Sequence, residues 1–161
     1  MNIRILTGML FLIVIVACSP DTLQSTYEKQ QKEDGMDGFT IIHIEENDEY
    51  GLVLGTSWTE QYPDNKDKPF ILVYEKNNGK WVTRPGTTCD GLGATLGIGG
   101  GRYLYCASIT EDRPYVKIMV GDTEAQIFDV NDKKRVWYAV EHSMGMQKWG
   151  SYETGEPQKM N

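Results

Sequence analysis

Three cysteines and two histidines in 161 residues leave little material for a metal cage or for thiol- or imidazole-based catalysis. Long apolar runs are also missing, apart from one stretch near the N-terminus, Ile5 to Ala17, interrupted only by Thr7 and Gly8. That stretch stops short of the roughly 20 apolar residues a bilayer-crossing helix needs. Positive charge is in deficit, with 16 Lys and Arg against 23 Asp and Glu and a formal net charge of −7. Such a surface repels nucleic acid and anionic lipid headgroups, so nucleic acid is not an expected partner. Helical hydrophobic periodicity is scarce too, which turns attention to strands.

The N-terminal stretch follows one basic residue, Arg4, and has the length of a signal-peptide h-region. It ends in Ile15-Val16-Ala17-Cys18, which resembles the lipobox of bacterial lipoproteins. The resemblance covers the first eighteen residues. It implies a diacylglyceryl group on the Cys18 sulfur, cleavage of the Ala17 to Cys18 bond, and a lipidated Cys18 as the mature N-terminus. Two acyl chains hold a protein stably on a membrane where one holds it marginally, at about 0.8 kcal/mol per buried methylene. The implied location is the extracytoplasmic face of the cell membrane or outer membrane.

The expected organisation is a signal peptide over 1–17, a lipidated N-terminus and polar tether over 18–38, a β domain over 39–149 and a flexible tail over 150–161. In the tether, only Leu23 and Tyr27 are spaced for one face of a transient helix. Beyond Gly38, short runs rich in β-branched and aromatic residues alternate with Gly, Asn, Asp and Pro. They predict strands at Phe39 to Glu45, Leu52 to Thr59, Phe70 to Lys76, Lys80 to Arg84, Leu92 to Ile98, Arg102 to Thr110, Tyr115 to Val120, Ala125 to Val130 and Arg135 to Glu141. Asn78-Gly79 supplies the two positive φ angles of a tight primed turn, so Tyr74 to Trp81 reads as a hairpin. The fold class is all-β, an antiparallel meander closed as a β-sandwich or small barrel.

With Cys18 committed to lipid, Cys89 and Cys106 form an even pair in an exported chain, and a disulfide is the default over two free thiols. Symmetric about Gly97-Ile98, they are placed to face each other across one hairpin that reverses at Gly97 to Gly101.

Candidate chemistry is sparse. Gly91-Leu92-Gly93-Ala94-Thr95-Leu96 lacks the third Gly of a dinucleotide fingerprint and the following helix. Gly55-Thr56-Ser57-Trp58-Thr59 lacks the closing Gly of a nucleophile elbow, and His142 and Ser143, as strand neighbours, point to opposite faces. Asp64-Asn65-Lys66-Asp67 and Asp129 to Lys133 each place a Lys where a calcium loop needs an oxygen ligand. Strict alternation puts Phe39, Ile41, His43 and Glu45 on one face of the first strand, with His43 and Glu45 as a polar pair. His142, Met144 and Met146, spaced by two and followed by Trp149, suit Cu(I). They resemble the Met, His and Trp site of periplasmic copper chaperones, although there the His is remote from the Met pair. Trp58, Tyr62, Trp81, Trp137 and Trp149 are the aromatics available to a binding surface.

The leading expectation is a lipid-anchored extracytoplasmic domain that binds a ligand or an envelope protein without catalysis and without a cofactor. The alternatives are a Cu(I)-binding lipoprotein using His142, Met144 and Met146, and a small envelope hydrolase assembled from distant strands.

Overall fold

The computed structural model describes residues 21–91, 93–110, 117–142 and, for backbone alone, 150–152. The expected signal peptide, Cys18, Met144, Met146 and Trp149 lie outside them.

The strands are β1 (Gly38–Glu46), β2 (Tyr50–Trp58), β3 (Phe70–Asn77), β4 (Lys80–Thr88), β5 (Ala94–Gly99), β6 (Arg102–Thr110), β7 (Lys117–Val120), β8 (Thr123–Glu124), β9 (Gln126–Asn131), β10 (Lys134–Glu141) and β11 (Gly150–Tyr152). One α-helix, α1 (Leu23–Glu33), precedes them. They form two four-stranded antiparallel sheets, β1-β2-β3-β4 and β5-β6-β10-β9, and a small third sheet, β11-β7-β8. The two large sheets stack as an open sandwich and do not join into a barrel.

Alternation along the strands sets the layers. In β2 and β3, Leu52, Leu54, Ile71 and Val73 face the second sheet, where they meet Leu104, Cys106, Val136 and Tyr138 in the central core. Their neighbours Val53, Leu72 and Tyr74 face the other way, onto α1. The second sheet repeats the scheme. Tyr105, Ala107, Ile109, Trp137 and Ala139 turn outward and are covered by Ile118 and Val120 of β7 and by Ala125. Central strands with both faces buried read as continuous apolar runs, which is how Leu52-Val53-Leu54 and Val136 to Val140 appear in the sequence.

The meander holds for the first sheet and fails in the second, where β10 lies between β6 and β9. β10 carries apolar side chains on both faces and takes a central place, whereas polar β9, with Gln126, Asp129 and Asn131, takes the edge. Register is unbroken in the central pairs β2–β3 and β6–β10. It shifts in all four pairs that involve an edge strand of the two large sheets, β1–β2, β3–β4, β5–β6 and β9–β10. The β3–β4 hairpin turns on Asn78 and Gly79, both at positive φ, with Asn77 paired to Lys80.

Within the expected tether, Leu23–Glu33 form a docked helix. Thr22 caps α1, accepting a hydrogen bond from the Ser25 backbone N–H at 3.1 Å, and Leu23, Tyr27 and Gln31 are buried against the first sheet. An isolated helix of this length is marginal in water, so tertiary packing must hold it. The sheet accommodates it with glycine. A Cβ on Gly51 would run into Leu23, and one on Gly55 would lie 3.1 Å from the Tyr27 hydroxyl. Gln30 accepts hydrogen bonds from Tyr74 and Thr83, each at 2.8 Å. At the other terminus, the expected flexible tail begins as β11, paired with β7.

Cys89 and Cys106 form a disulfide, with Cα atoms 5.3 Å apart. It does not span one hairpin. The partner of Cys106 across β5–β6 is Ala94, and Cys89 lies beyond the end of β4, so the bond staples the first sheet to the second. β5 begins at Ala94, and the Cys89 N–H donates to the Pro69 carbonyl at 2.8 Å, which keeps Cys89 with the first sheet. Both sulfur-bearing residues are fully buried. Replacing the pair by Cys89→Ala and Cys106→Ala should lower unfolding stability by about 3 kcal/mol, from the lost constraint on the unfolded chain. Urea titration of oxidised protein and double variant measures the difference.

Candidate binding groove

The β1–β2 turn and β3–β4 hairpin share one end of the first sheet, the β5–β6 turn and the C-terminal end of β10 share one end of the second, and the Arg102–Glu49 ion pair brings the two together at one end of the sandwich. The opposite end is drawn shut. There the Lys134 Nζ donates to the Asp67 carbonyl oxygen at 2.8 Å and pairs with Asp90 at 3.1 Å, while Asn131 donates to the Asp67 carboxylate at 3.0 Å.

At the open end, Glu45 sits between the sheets. The Tyr50 hydroxyl donates to its Oε1 at 2.9 Å and the Tyr138 hydroxyl to its Oε2 at 2.7 Å, with the Gln126 amide nitrogen 3.5 Å from the same oxygen. Burial, then the Glu45 carboxylate, push the Tyr50 phenol up to about 12, and the same causes in the same order raise Tyr138. Arg102 lies with its guanidinium carbon 5.4 Å from the Tyr50 ring centre and forms an ion pair with Glu49. Arg84 pairs with Glu75, its Nε donating at 2.6 Å.

Two depressions share Tyr50 and Arg102 as a common wall. The larger, of about 490 Å³, runs along the seam where edge strands β4 and β5 part, between Glu75 and Arg84 on one side and Gly97 to Gly100 on the other. The smaller, about 260 Å³, is bounded by Glu45, Thr123, Glu124, Gln126, Tyr138 and His142. Near it, Glu141 accepts from the Thr123 hydroxyl at 2.7 Å and from the His142 backbone N–H at 2.7 Å, and these bonds hold its carboxyl below the usual range.

Several expected positions fall elsewhere. The register shift between Ile41 and His43 breaks the alternation in β1. Phe39, Ile41 and Ile44 therefore face α1, while Ile42 packs into the central core. His43 stacks on Phe128 at 4.5 Å, closing the β1 and β9 edges together, and Glu45 pairs with tyrosines. Gly55 to Trp58 continue straight through β2, which makes no elbow of Thr56 or Ser57. Residues 93–99 enter β5 directly, without the helix a nucleotide loop needs. Asp64 to Asp67 lie in a 3-10 turn, Pro63–Asp67, tied to the β9–β10 end. Of the copper set, His142 is exposed on the wall of the smaller depression, and Met144 and Met146 lie outside the described residues. Among the described residues, no group of three His, Cys, Asp or Glu side chains converges as a metal cage. Trp81 and Trp137 are core residues, and Tyr62 is 57% exposed.

Sequence reasoning found Glu45 but missed Tyr50, Tyr138 and Arg102. Tyr138 and Arg102 are distant in the chain from their partners, Tyr50 meets Glu45 only across the β1–β2 turn, and no local pattern marks the meeting point. The chain matches no protein-family model, no curated protein and no solved structure.

Proposed function

We propose that the chain is an exported protein, lipidated on Cys18, whose sandwich works on the outer face of a membrane as a binding domain without catalysis. The observation that carries this reading is the buried Cys89–Cys106 bond between the two sheets. Structural disulfides form and persist in oxidising compartments, and the lipobox ahead of the domain supplies both the route there and the anchor. The groove supports recognition over chemistry. Its carboxylates Glu45, Glu49 and Glu75 are each engaged by a tyrosine or an arginine, an arrangement that fixes side chains to present a polar surface. The partner is an envelope component and not nucleic acid, given the acidic balance of the chain.

Intact-mass analysis of the protein from its native membrane should find residue 18 as the N-terminus carrying a diacylglyceryl group. Cys18→Ser should abolish incorporation of labelled fatty acid and leave the leader attached. A mature product without lipid, or an intact leader on the native protein, overturns the reading.

A further inference from the structure

We propose that the groove between Arg84, Arg102, Glu49 and Glu75 faces the bilayer and takes a zwitterionic phospholipid headgroup, one that carries both a phosphate and an ammonium. The inference rests on lipidation of Cys18. From Cys18 to the helix cap Thr22 there are four residues, which span no more than about 14 Å even fully extended. Because α1 is packed onto the first sheet from Leu23 onward, the anchor cannot swing the domain through a wide arc. The start of α1 lies over Gly51, and its next turn lies over Gly55, so the helix begins at the β1–β2 turn. That turn belongs to the open end of the sandwich. The short leash therefore emerges at the end that carries the groove, and the closed end, with Asp67, Asp90 and Lys134, points away from the membrane.

The charges of the groove define the headgroup. A purely anionic group would meet Arg102 and Arg84 but also Glu49 and Glu75. A cation would meet the reverse. A headgroup with a phosphate and an ammonium can exchange partners with both ion pairs, phosphate to the guanidinium groups and ammonium to the carboxylates, leaving no charge unmatched. Tyr50, beneath Arg102, holds that guanidinium in place over its ring face. The volume, about 490 Å³, lies within the range of small-ligand sites.

The test is amide hydrogen exchange on the full lipidated protein in two vesicle types, phosphatidylethanolamine with phosphatidylglycerol, and phosphatidylglycerol alone. Peptides covering 47–50 and 97–102 should exchange about tenfold more slowly on the first than on the second, because occupancy of the groove suppresses local opening. The 63–68 peptide, at the far end, should not change. Arg102→Gln, and separately the more exposed Arg84→Gln, should remove the slowing while the 63–68 peptide reports an intact fold. Equal exchange in the two vesicle types, or slowing that survives both substitutions, overturns the headgroup assignment. The mass of residue 18 is read from the same samples. Missing lipid there overturns the anchor, whereas lipid present with uniform exchange overturns this inference alone.

Discussion

Raising the pH above about 10 should unfold the domain in one cooperative step. In four of the nine tyrosines, Tyr27, Tyr50, Tyr74 and Tyr138, burial raises the phenol above its ordinary value. For Tyr27 the neighbouring Tyr74 adds to the effect, and for Tyr50 and Tyr138 the Glu45 carboxylate does. Each phenol thus ionises near pH 10 in the unfolded chain and only at higher pH in the folded one. Below pH 10 their contribution to stability is fully present. Above it the unfolded ensemble loses protons that the native state keeps, and stability falls by about 1.4 kcal/mol per pH unit for each tyrosine. Four together remove roughly 5 kcal/mol per unit, against a total of about 5–15 kcal/mol for an ordinary domain. Tyrosinate absorption and far-ultraviolet circular dichroism should therefore change together between about pH 11 and 12. All nine tyrosines titrating near 10 with the sheet signal intact would show that the four phenols are not buried.

The second large effect is Tyr27→Ala, expected to cost about 3–5 kcal/mol, as aromatic truncations in cores do. Tyr27 is fully buried between α1 and the first sheet, edge-on to Phe39 with ring centres 5.6 Å apart. Leu23 is the only other apolar side chain that α1 buries, so truncation removes one of the two apolar side chains that dock the helix. Amides of residues 23–33 should then exchange faster than those of β6 and β10, and the urea midpoint should fall. Tyr27→Phe should behave oppositely. The Tyr27 hydroxyl has no hydrogen-bond partner among the described residues, and removing an unsatisfied buried group should leave stability unchanged or raise it by up to about 1 kcal/mol. A loss below about 1 kcal/mol for the alanine variant would mean that the helix is not docked.

The all-β class, nine of the strands and the Asn78-Gly79 turn are legible in the sequence because period-two patterns and turn residues are local signals. The helix is not, since nine of its eleven residues are polar and its stability comes from two side chains fitted over Gly51 and Gly55. Its signal lies in β2, as glycines inside an otherwise apolar strand, which mark a close approach. Strand order in the second sheet is hidden for a related reason. A central position is decided by burial on both faces, and that becomes clear only once β7 and Ala125 are known to cover Tyr105, Trp137 and Ala139. The groove is the least legible part. Glu45, Tyr50, Arg102 and Tyr138 come from four strands, and the bulge in β1 overrides the alternation that would have placed His43 beside Phe39.

That bulge is one of four, each where an outermost strand of a large sheet joins its neighbour. A bent, locally unpaired border is a poor template for a passing chain, because strand addition needs a straight row of free N–H and C=O groups. The irregular borders therefore disfavour edge-to-edge growth between copies of this chain.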